Sequence, residues 1–224
     1  MVINGTRIVY PEAKRDVSFS IANAAPDEAA IVQMWIDAGD PSADPEGIDI
    51  PFRLSPPIGR VAANGRQTVR LTYTGEPLIP DQETLFWFNM LEIPTGVSGP
   101  SDADRIAFSR RTRIKVFFRP KGLKGDLQQA LKQMRCSLKN TESRWSLECY
   151  NPSRFHLSFA AFSLGNESEK LQANEEGGML KPLERVQFSV KDHDKLPQPL
   201  SSVLFHFIND YGGITPVESV LTVP

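Results

Sequence analysis

The segment Ile106–Pro120 alternates hydrophobic and polar positions with a period of two, which is typical of a long β-strand. One face of this predicted strand carries Ile106, Phe108, Thr112, Ile114, Val116 and Phe118. The other face carries Ser109, Arg111, Arg113, Lys115 and Arg119, with Phe117 among them. A strand with apolar side chains on one face and cations on the other is suited to a sheet edge that pairs with another chain.

Shorter segments with strand character precede this one, and turn residues separate them. They are Thr6–Tyr10, Asp16–Asn23, Ala30–Ile36, Pro51–Leu54, Gln67–Tyr73 and Leu85–Leu91. A turn-rich loop then leads into the basic strand. Many short strands at this spacing predict an antiparallel β-sandwich.

A second β unit is predicted after the segment Lys121–Gly125, which has the composition of a hinge. Asp126 can cap a short helix there, with Gln129 at the capping-box position. The strands predicted beyond it are a hairpin around the two cysteines, Phe155–Phe162, Arg185–Val190, Ser202–Ile208 and Glu218–Val223. We therefore expect a first domain over 1–120, a linker over 121–125 and a second domain over 126–224.

The two cysteines, Cys136 and Cys149, lie in two adjacent strand-like segments. If Glu142 and Ser143 form a two-residue turn, the cysteines fall opposite each other. A disulfide there would close a loop of about 14 residues and contribute about 3 kcal/mol in the chain-entropy view. Two buried thiols are the alternative, because cysteine packs as a small apolar residue.

The composition of the chain excludes few classes of function. A length of 224 residues suits one large or two ordinary domains, and a net charge of −2 gives no global reason to bind nucleic acid or membranes. No apolar run is long enough to span a bilayer, and the start of the sequence lacks the pattern of a signal peptide. A cytosolic location and a mature exported protein both remain open at this point.

Motifs for catalysis are absent from the sequence, including the nucleophile elbow, the phosphate loop and the zinc-binding helix pattern. Asp192, His193 and Asp194 are adjacent, but side chains of an extended chain alternate between its two sides and converge poorly on a metal. We therefore expect no enzyme activity, no metal site and no cofactor. His206, between two phenylalanines, is expected to be a sheet residue.

The basic run near residue 110 has three interpretations. Nucleic-acid binding would normally come with a basic domain, which this chain lacks. A solvated strand face is the second. A docking site for an anionic group is favoured, because Arg and Lys on a rigid strand can bind a carboxylate through charge-assisted hydrogen bonds.

Four motifs, in order along the chain, resemble those of the periplasmic chaperones of the chaperone–usher pilus pathway, the PapD-like family. They are Thr6–Tyr10 (TRIVY), Gln82–Asn89 (QETLFWFN) followed by Glu92–Pro94 (EIP), Arg113–Pro120 (RIKVFFRP) and Asn209–Gly213 (NDYGG). The resemblance implies an all-β chain of two immunoglobulin-like sandwiches, set at an angle with a cleft between them. It also implies a periplasmic location, with the signal peptide absent from this sequence.

The function implied by the resemblance is to bind, fold and cap pilus subunits and deliver them to an outer-membrane usher, without cofactor or ATP. A subunit lacks its last strand, and the chaperone lends one of its own. Ile106 and Phe108 are then donor side chains, and Arg110 stands where the family usually carries a third large apolar residue. Arg7 and Lys115 resemble the pair that holds the subunit's C-terminal carboxylate, and Thr6 adds a hydrogen bond.

Glu83, Arg119 and Asp210 resemble the family's interdomain ionic triad, with Glu83 coming from the first domain. We regard them as structural, since desolvation can offset the Coulomb gain of a buried ion pair. The short loop 95–104 and the absence of cysteines from the first domain indicate the short-loop subfamily.

Two further expectations accompany this interpretation. An unprotected apolar strand favours self-association of the chain through the donor edge. The alternative function is a two-domain adhesin or carbohydrate-binding sandwich, which would need an exposed aromatic or acidic binding loop.

Overall fold

The computed structural model describes residues 1–94, 108–141, 144–166, 169–191 and 200–222, with the backbone alone for Pro94, Thr141, Arg144 and Thr222. It divides the chain into two compact units. The first comprises Met1–Ile79 and Thr84–Lys121, and the second comprises Pro80–Glu83 and Gly122–Pro224.

The first unit is a β-sandwich. Its strands are β1 (Val2–Ile3), β2 (Arg7–Pro11), β3 (Asp16–Ala22), β4 (Ala30–Asp37), β5 (Phe52–Ser55), β6 (Ile58–Val61), β7 (Arg66–Tyr73), β8 (Thr84–Pro94) and β9 (Arg110–Arg119), with a 3₁₀ turn at Pro45–Gly47. One sheet has the order β1-β3-β7-β5 and the other the order β2-β9-β8-β4-β6. The basic strand of the sequence is β9, in the second of these sheets.

The core of the first unit lies between its two sheets. Alternate residues of each strand point into it, as the period-two patterns predict. The most deeply buried large side chains are Tyr10, Ile21, Leu71, Phe88, Met90 and Phe118. Burying each such side chain stabilises the fold by about 1.5–3 kcal/mol. The opposite face of the β9 sheet is therefore left to its polar and aromatic residues.

The second unit contains one helix among its described residues, together with a large sheet. Its elements are α1 (Leu127–Gln133), β10 (Arg135–Thr141), β11 (Arg144–Tyr150), β12 (Leu157–Gly165), β13 (Lys170–Asn174), β14 (Gly178–Leu180), β15 (Arg185–Ser189), β16 (Ser202–Ile208) and β17 (Ile214–Thr222). The strand order is β13-β12-β16-β17-β10-β11-β15, and β14 also pairs with β12. The carboxylate of Asp126 caps α1 by accepting the N–H of Gln129 at 2.8 Å, as predicted.

The cysteine hairpin is confirmed. Cys136 and Cys149 are register partners in the antiparallel pair of β10 and β11, and their Cα atoms lie 4.1 Å apart in a disulfide. The predicted turn at Glu142 and Ser143 lies outside the described residues. The disulfide is buried in the apolar core of the second unit.

The short segment Pro80–Glu83 groups with the second unit, whereas the sequence-based division assigns it to the first domain. The N–H of Glu83 donates to the carbonyl of Arg154 at 2.9 Å, and its carboxylate accepts the N–H of His156 at 2.7 Å. The sequence places Glu83 in the first domain, whereas these hydrogen bonds tie it to the second unit. The boundaries 1–120, 121–125 and 126–224 themselves stay a prediction.

Candidate functional site

Arg7 and Lys115 are direct neighbours in the first unit. The parallel strands β2 and β9 pair in a register that sets Arg7 beside Lys115, and Val9 beside Phe117 two residues further along. Since lateral partners in a sheet point to the same face, the two cations share the outer face of the β9 sheet. The sequence-predicted pair is therefore brought together.

Aromatic rings support both cations. The Arg7 guanidinium lies 5.5 Å from the centre of the Phe117 ring, and the Lys115 ammonium lies 5.7 Å from that of Trp87. A cation over an aromatic face is stabilised by the ring quadrupole. The rings compensate in part for the proximity of two like charges.

The electrostatics of Lys115 suit anion binding. Burial, and then the charge of Arg7, lower the pKa of the Lys115 ammonium below its ordinary value. Within the described part of the chain, no carboxylate lies at ion-pair distance from Lys115. A half-buried cation beside a second cation is stabilised when an anion arrives, and a terminal carboxylate offers two oxygens to such a pair.

Thr6 precedes Arg7 in an exposed bend where the chain passes from one sheet to the other. Before the bend, β1 pairs with β3, and after it β2 pairs with β9. Gly5 has a φ of +129° at this crossing, a conformation that favours glycine. Thr6 is thus exposed on the surface, directly before Arg7 in the chain.

This crossing leaves part of β9 uncovered. Strand β2 pairs only with Lys115–Arg119, while β8 runs along the other side from Arg110 to Phe118. Among the described residues, no strand pairs with the second side of 110–114, which we call the open edge. Had the chain continued along β9 in the same register, residues 2–6 would have covered it. The prediction of an exposed edge thus holds for half of the strand.

The predicted donor residues lie at and before the open edge. Ile106 is outside the described residues. Phe108 is 81% exposed, which is unusual for a large apolar side chain. Arg110 is exposed too, and its guanidinium donates to the carbonyl of Met1 at 2.5 Å and lies 3.9 Å from the Glu92 carboxylate.

Sequence reasoning missed a cluster on the outer face of the same sheet, which we call the Asp37 network: Asp37, Asn89, Arg111 and Arg113. The side chain of Asp37 is 1% exposed and accepts hydrogen bonds from Asn89 at 2.7 Å, from Gly39 N–H at 2.7 Å and from two nitrogens of Arg113. Arg111 donates to the side-chain oxygen Oδ1 of Asn89 at 2.8 and 3.0 Å.

The Asp37 network changes the interpretation of the basic run. The sequence predicts that its cations dock an anionic group, but Arg111 and Arg113 direct their charge to Asp37 inside the unit. The pKa of Asp37 is raised by burial and lowered by its hydrogen bonds from Arg113, Asn89 and Gly39 and by the Arg113 charge, with a net lowering. An acid at the end of an apolar strand was the only sequence signal for this cluster.

The three residues of the predicted triad occupy both units. Arg119 ends β9 in the first unit, while Glu83 and Asp210 belong to the second. Asp210 lies in the turn between β16 and β17, where the Asn209 side chain accepts the N–H groups of Tyr211 and Gly213, each at 3.0 Å. The NDYGG motif thus forms the turn between β16 and β17, and the triad itself stays a prediction.

The described residues form neither a candidate metal site nor a membrane-spanning helix. Over the described ranges, no three His, Cys, Asp or Glu side chains gather as a metal site would require. The adjacent Asp192, His193 and Asp194, which the sequence analysis considered as metal ligands, lie outside those ranges. None of the helical residues that the structure describes forms a helix long and apolar enough to cross a membrane.

Two sequence families match the chain, one for each unit. Residues 1–124 match the family described as "Pili and flagellar-assembly chaperone, PapD N-terminal domain". Residues 129–219 match "Pili assembly chaperone PapD, C-terminal domain". The chain belongs to the PapD-like pilus-assembly chaperone family. The expected fold of two immunoglobulin-like β domains is thereby confirmed, and the function is that of an assembly chaperone and not of an enzyme.

Named relatives of this chaperone match nearly its full length. The probable fimbrial chaperone YadV of Escherichia coli (strain K12) is 33% identical over 222 residues, covering 95% of this chain and 86% of that protein. Chaperone protein HifB of Haemophilus influenzae is 33% identical over 227 residues, covering 98% and 87%. The crystal structure of the Pseudomonas aeruginosa CupB2 chaperone matches at a TM-score of 0.80 and 30% identity, covering 99% of this chaperone and all of that chain.

Proposed function

We propose that this chaperone works in the periplasm, where it caps pilus subunits by adding its own strand β9 to each incomplete subunit. The observation that carries the proposal is the open edge, residues 110–114, which lies directly beside the Arg7 and Lys115 pair. An unpaired strand edge offers backbone donors and acceptors to a partner strand. The exposed side chain of Phe108 enters the groove that the missing strand leaves in the subunit, and the side chain of Ile106 is expected to enter it too.

The cation pair has a defined role in this mechanism. Arg7 and Lys115 bind the C-terminal carboxylate of the subunit, and the hydroxyl of Thr6 adds a hydrogen bond. Because a slip of one residue turns every side chain of a strand to the opposite face, an anchor at the chain end sets the register of the added strand. The lowered pKa of Lys115 and the absence of a described carboxylate beside it support this assignment.

The finer parts of the proposal concern delivery and domain geometry. The capped subunit passes to an outer-membrane usher, where the next subunit replaces the donated strand. Glu83, Arg119 and Asp210 act as the interdomain triad. The short sequence of the loop 95–104, which lies outside the described residues, supports membership of the short-loop subfamily. Arg110 lies near the subunit groove, where it stands in place of an apolar donor.

Subunit capture tests the proposal. The chaperone is tagged and expressed in the periplasm with the pilin genes that neighbour its own, and mass spectrometry identifies what co-purifies. We expect a pilus subunit with the wild type and a loss of more than about tenfold with Lys115→Ala, since a charge-assisted anchor contributes roughly 1.5–3 kcal/mol. Lys14→Ala, at an exposed position of the same unit, is the control and should capture normally. Equal subunit yields from both variants would refute the proposal.

A further inference from the structure

The Asp37 network reaches across three strands. Asp37 ends β4, Asn89 lies in β8, and Arg111 and Arg113 project from β9. In the sheet, Arg113 lies opposite Asn89, and Asp37 lies opposite Trp87 in the next row. The guanidinium of Arg113 therefore extends diagonally over β8 to the Asp37 carboxylate. Arg111 adds a longer contact of 3.6 Å to the same carboxylate.

Two tryptophan rings lie beneath the guanidinium groups. Arg113 lies 4.3 Å from the centre of the Trp87 ring, and Arg111 lies 4.8 Å from that of Trp35. Stacking over an aromatic face holds a planar guanidinium in one orientation. Both arginines are consequently fixed from below by a ring and at their tips by Asp37 or Asn89.

Arg111 and Arg113 lie in the half of β9 that has one described neighbouring strand. Residues Lys115–Phe118 are held between β2 and β8, but the open edge has only β8 as a described neighbour. Arg111 and Arg113 both belong to the open edge. The network thus fastens the part of β9 that pairs with one strand only among the described residues. It does so from the outer face of the sheet and not through the backbone groups of the open edge.

We propose that the Asp37 network is a clamp that holds the open edge extended and in register before a partner strand arrives, so that Asp37 is a positioning residue for strand addition. This inference rests on the proposed function. If the edge is already held in its bound conformation, binding does not have to reduce the conformational entropy of residues 110–114. The affinity for the partner strand is then higher without any new contact. Asp37 itself touches no subunit in this account.

Amide hydrogen exchange on the uncomplexed protein tests the clamp directly. In Asp37→Asn and in Arg113→Gln, the amides of 110–114 that bond to β8 should exchange about tenfold faster or more, as expected for local opening. The amides of 115–119 should change far less. Val69→Ala is the control: Val69 is fully buried in β7 of the other sheet, so this variant weakens the whole unit without touching the network.

The outcomes separate a clamp from a general stabilising role. Faster exchange confined to 110–114 in both network variants supports the clamp. Equal acceleration in both halves of β9, or none in either, overturns it. If Asp37→Asn does not fold, Arg113→Gln decides alone, because its side chain is 21% exposed and its loss leaves Asp37 with Asn89 and Arg111.

A second measurement connects the clamp to capture. The probe is the pilus subunit that co-purifies with the wild type. Asp37→Asn should bind it about tenfold more weakly, mainly through slower association, while Val69→Ala binds normally at a temperature where it is folded. Should the wild type capture no subunit at all, the proposed function fails, yet the exchange experiment still decides whether the clamp exists.

Discussion

Arg7 lies beside Lys115 across the parallel strands β2 and β9, at the point where β2 begins to cover β9. In the described part of the chain, the pair therefore lies at the boundary between the half of β9 with two neighbouring strands and the half with one. A carboxylate bound there would place the end of an incoming strand next to the open edge. The register of β2 against β9 thus sets the anion site directly beside the site of strand addition.

The pKa of Lys115 provides a first prediction. Burial and the charge of Arg7 lower it below 10.5. In Arg7→Gln the pKa should rise toward that value, but not reach it, because burial remains. NMR titration of lysine side chains labelled with ¹³C measures both proteins. An unchanged pKa in Arg7→Gln would mean that the two cations do not interact.

The exposed phenylalanine at the start of the edge provides a second prediction. Phe108→Ser should leave the free energy of unfolding within about 0.5 kcal/mol of the wild type, as for other surface substitutions, because the side chain is 81% exposed. Subunit capture should nevertheless fall, since an apolar donor is lost. The yield of co-purified subunit measures this.

The control for Phe108 is Ile58→Ser, which removes a 61% exposed apolar residue from β6 on the opposite border of the same sheet. It should capture subunits normally. A similar loss of capture in both variants would indicate that surface hydrophobicity in general, and not the donor position, determines binding.

Acid sensitivity provides a third prediction. The folded-state pKa of Asp37 is lowered, so its contribution to stability is present above the unfolded value of about 3.9 and is lost as pH falls through the folded value. Wild-type stability should therefore decrease as the pH falls below about 5, and its advantage over Asp37→Asn, which has no carboxylate to titrate, should shrink over the same range. Urea unfolding of both proteins at several pH values tests this. Parallel pH profiles of the two proteins would contradict it.

The disulfide provides a fourth prediction. Cys136 and Cys149 are 13 residues apart in sequence, and closing such a loop stabilises the folded state by about 3 kcal/mol. Reduction should lower the denaturation midpoint of the second unit and leave that of the first unit unchanged. Urea unfolding followed by NMR of individual residues in the two units, with and without reductant, measures both midpoints. If the denaturation midpoint of the second unit is the same with and without reductant, the disulfide adds no stability.

The sequence predicts the longer strands well because their alternation records which face is buried. It predicts Ser202–Ile208 with the bounds that the structure shows, and it predicts the helix cap at Asp126. It misses β1, β6, β13 and β14, which are two to five residues long, because pairing with longer strands creates them and no periodicity marks them. The resemblance supplied the Arg7 and Lys115 pair, which alternation alone did not.

The Asp37 network could not be predicted from the sequence for a different reason. Asp37 lies 52 residues from Asn89 and 76 from Arg113, and no local pattern indicates that they meet. A run of cations suggests an external anion, whereas the counter-ion here comes from another strand of the same sheet. Only the strand order, with β8 between β4 and β9, brings the acid within reach.

The central claim is that β9 gives its open edge to a subunit, and a crystal structure of the co-purified complex tests it most directly. We expect a subunit strand hydrogen-bonded to the backbone of 110–114, with its C-terminal carboxylate on Arg7 and Lys115. A subunit seated elsewhere, with the backbone of 110–114 still facing solvent, would contradict the account.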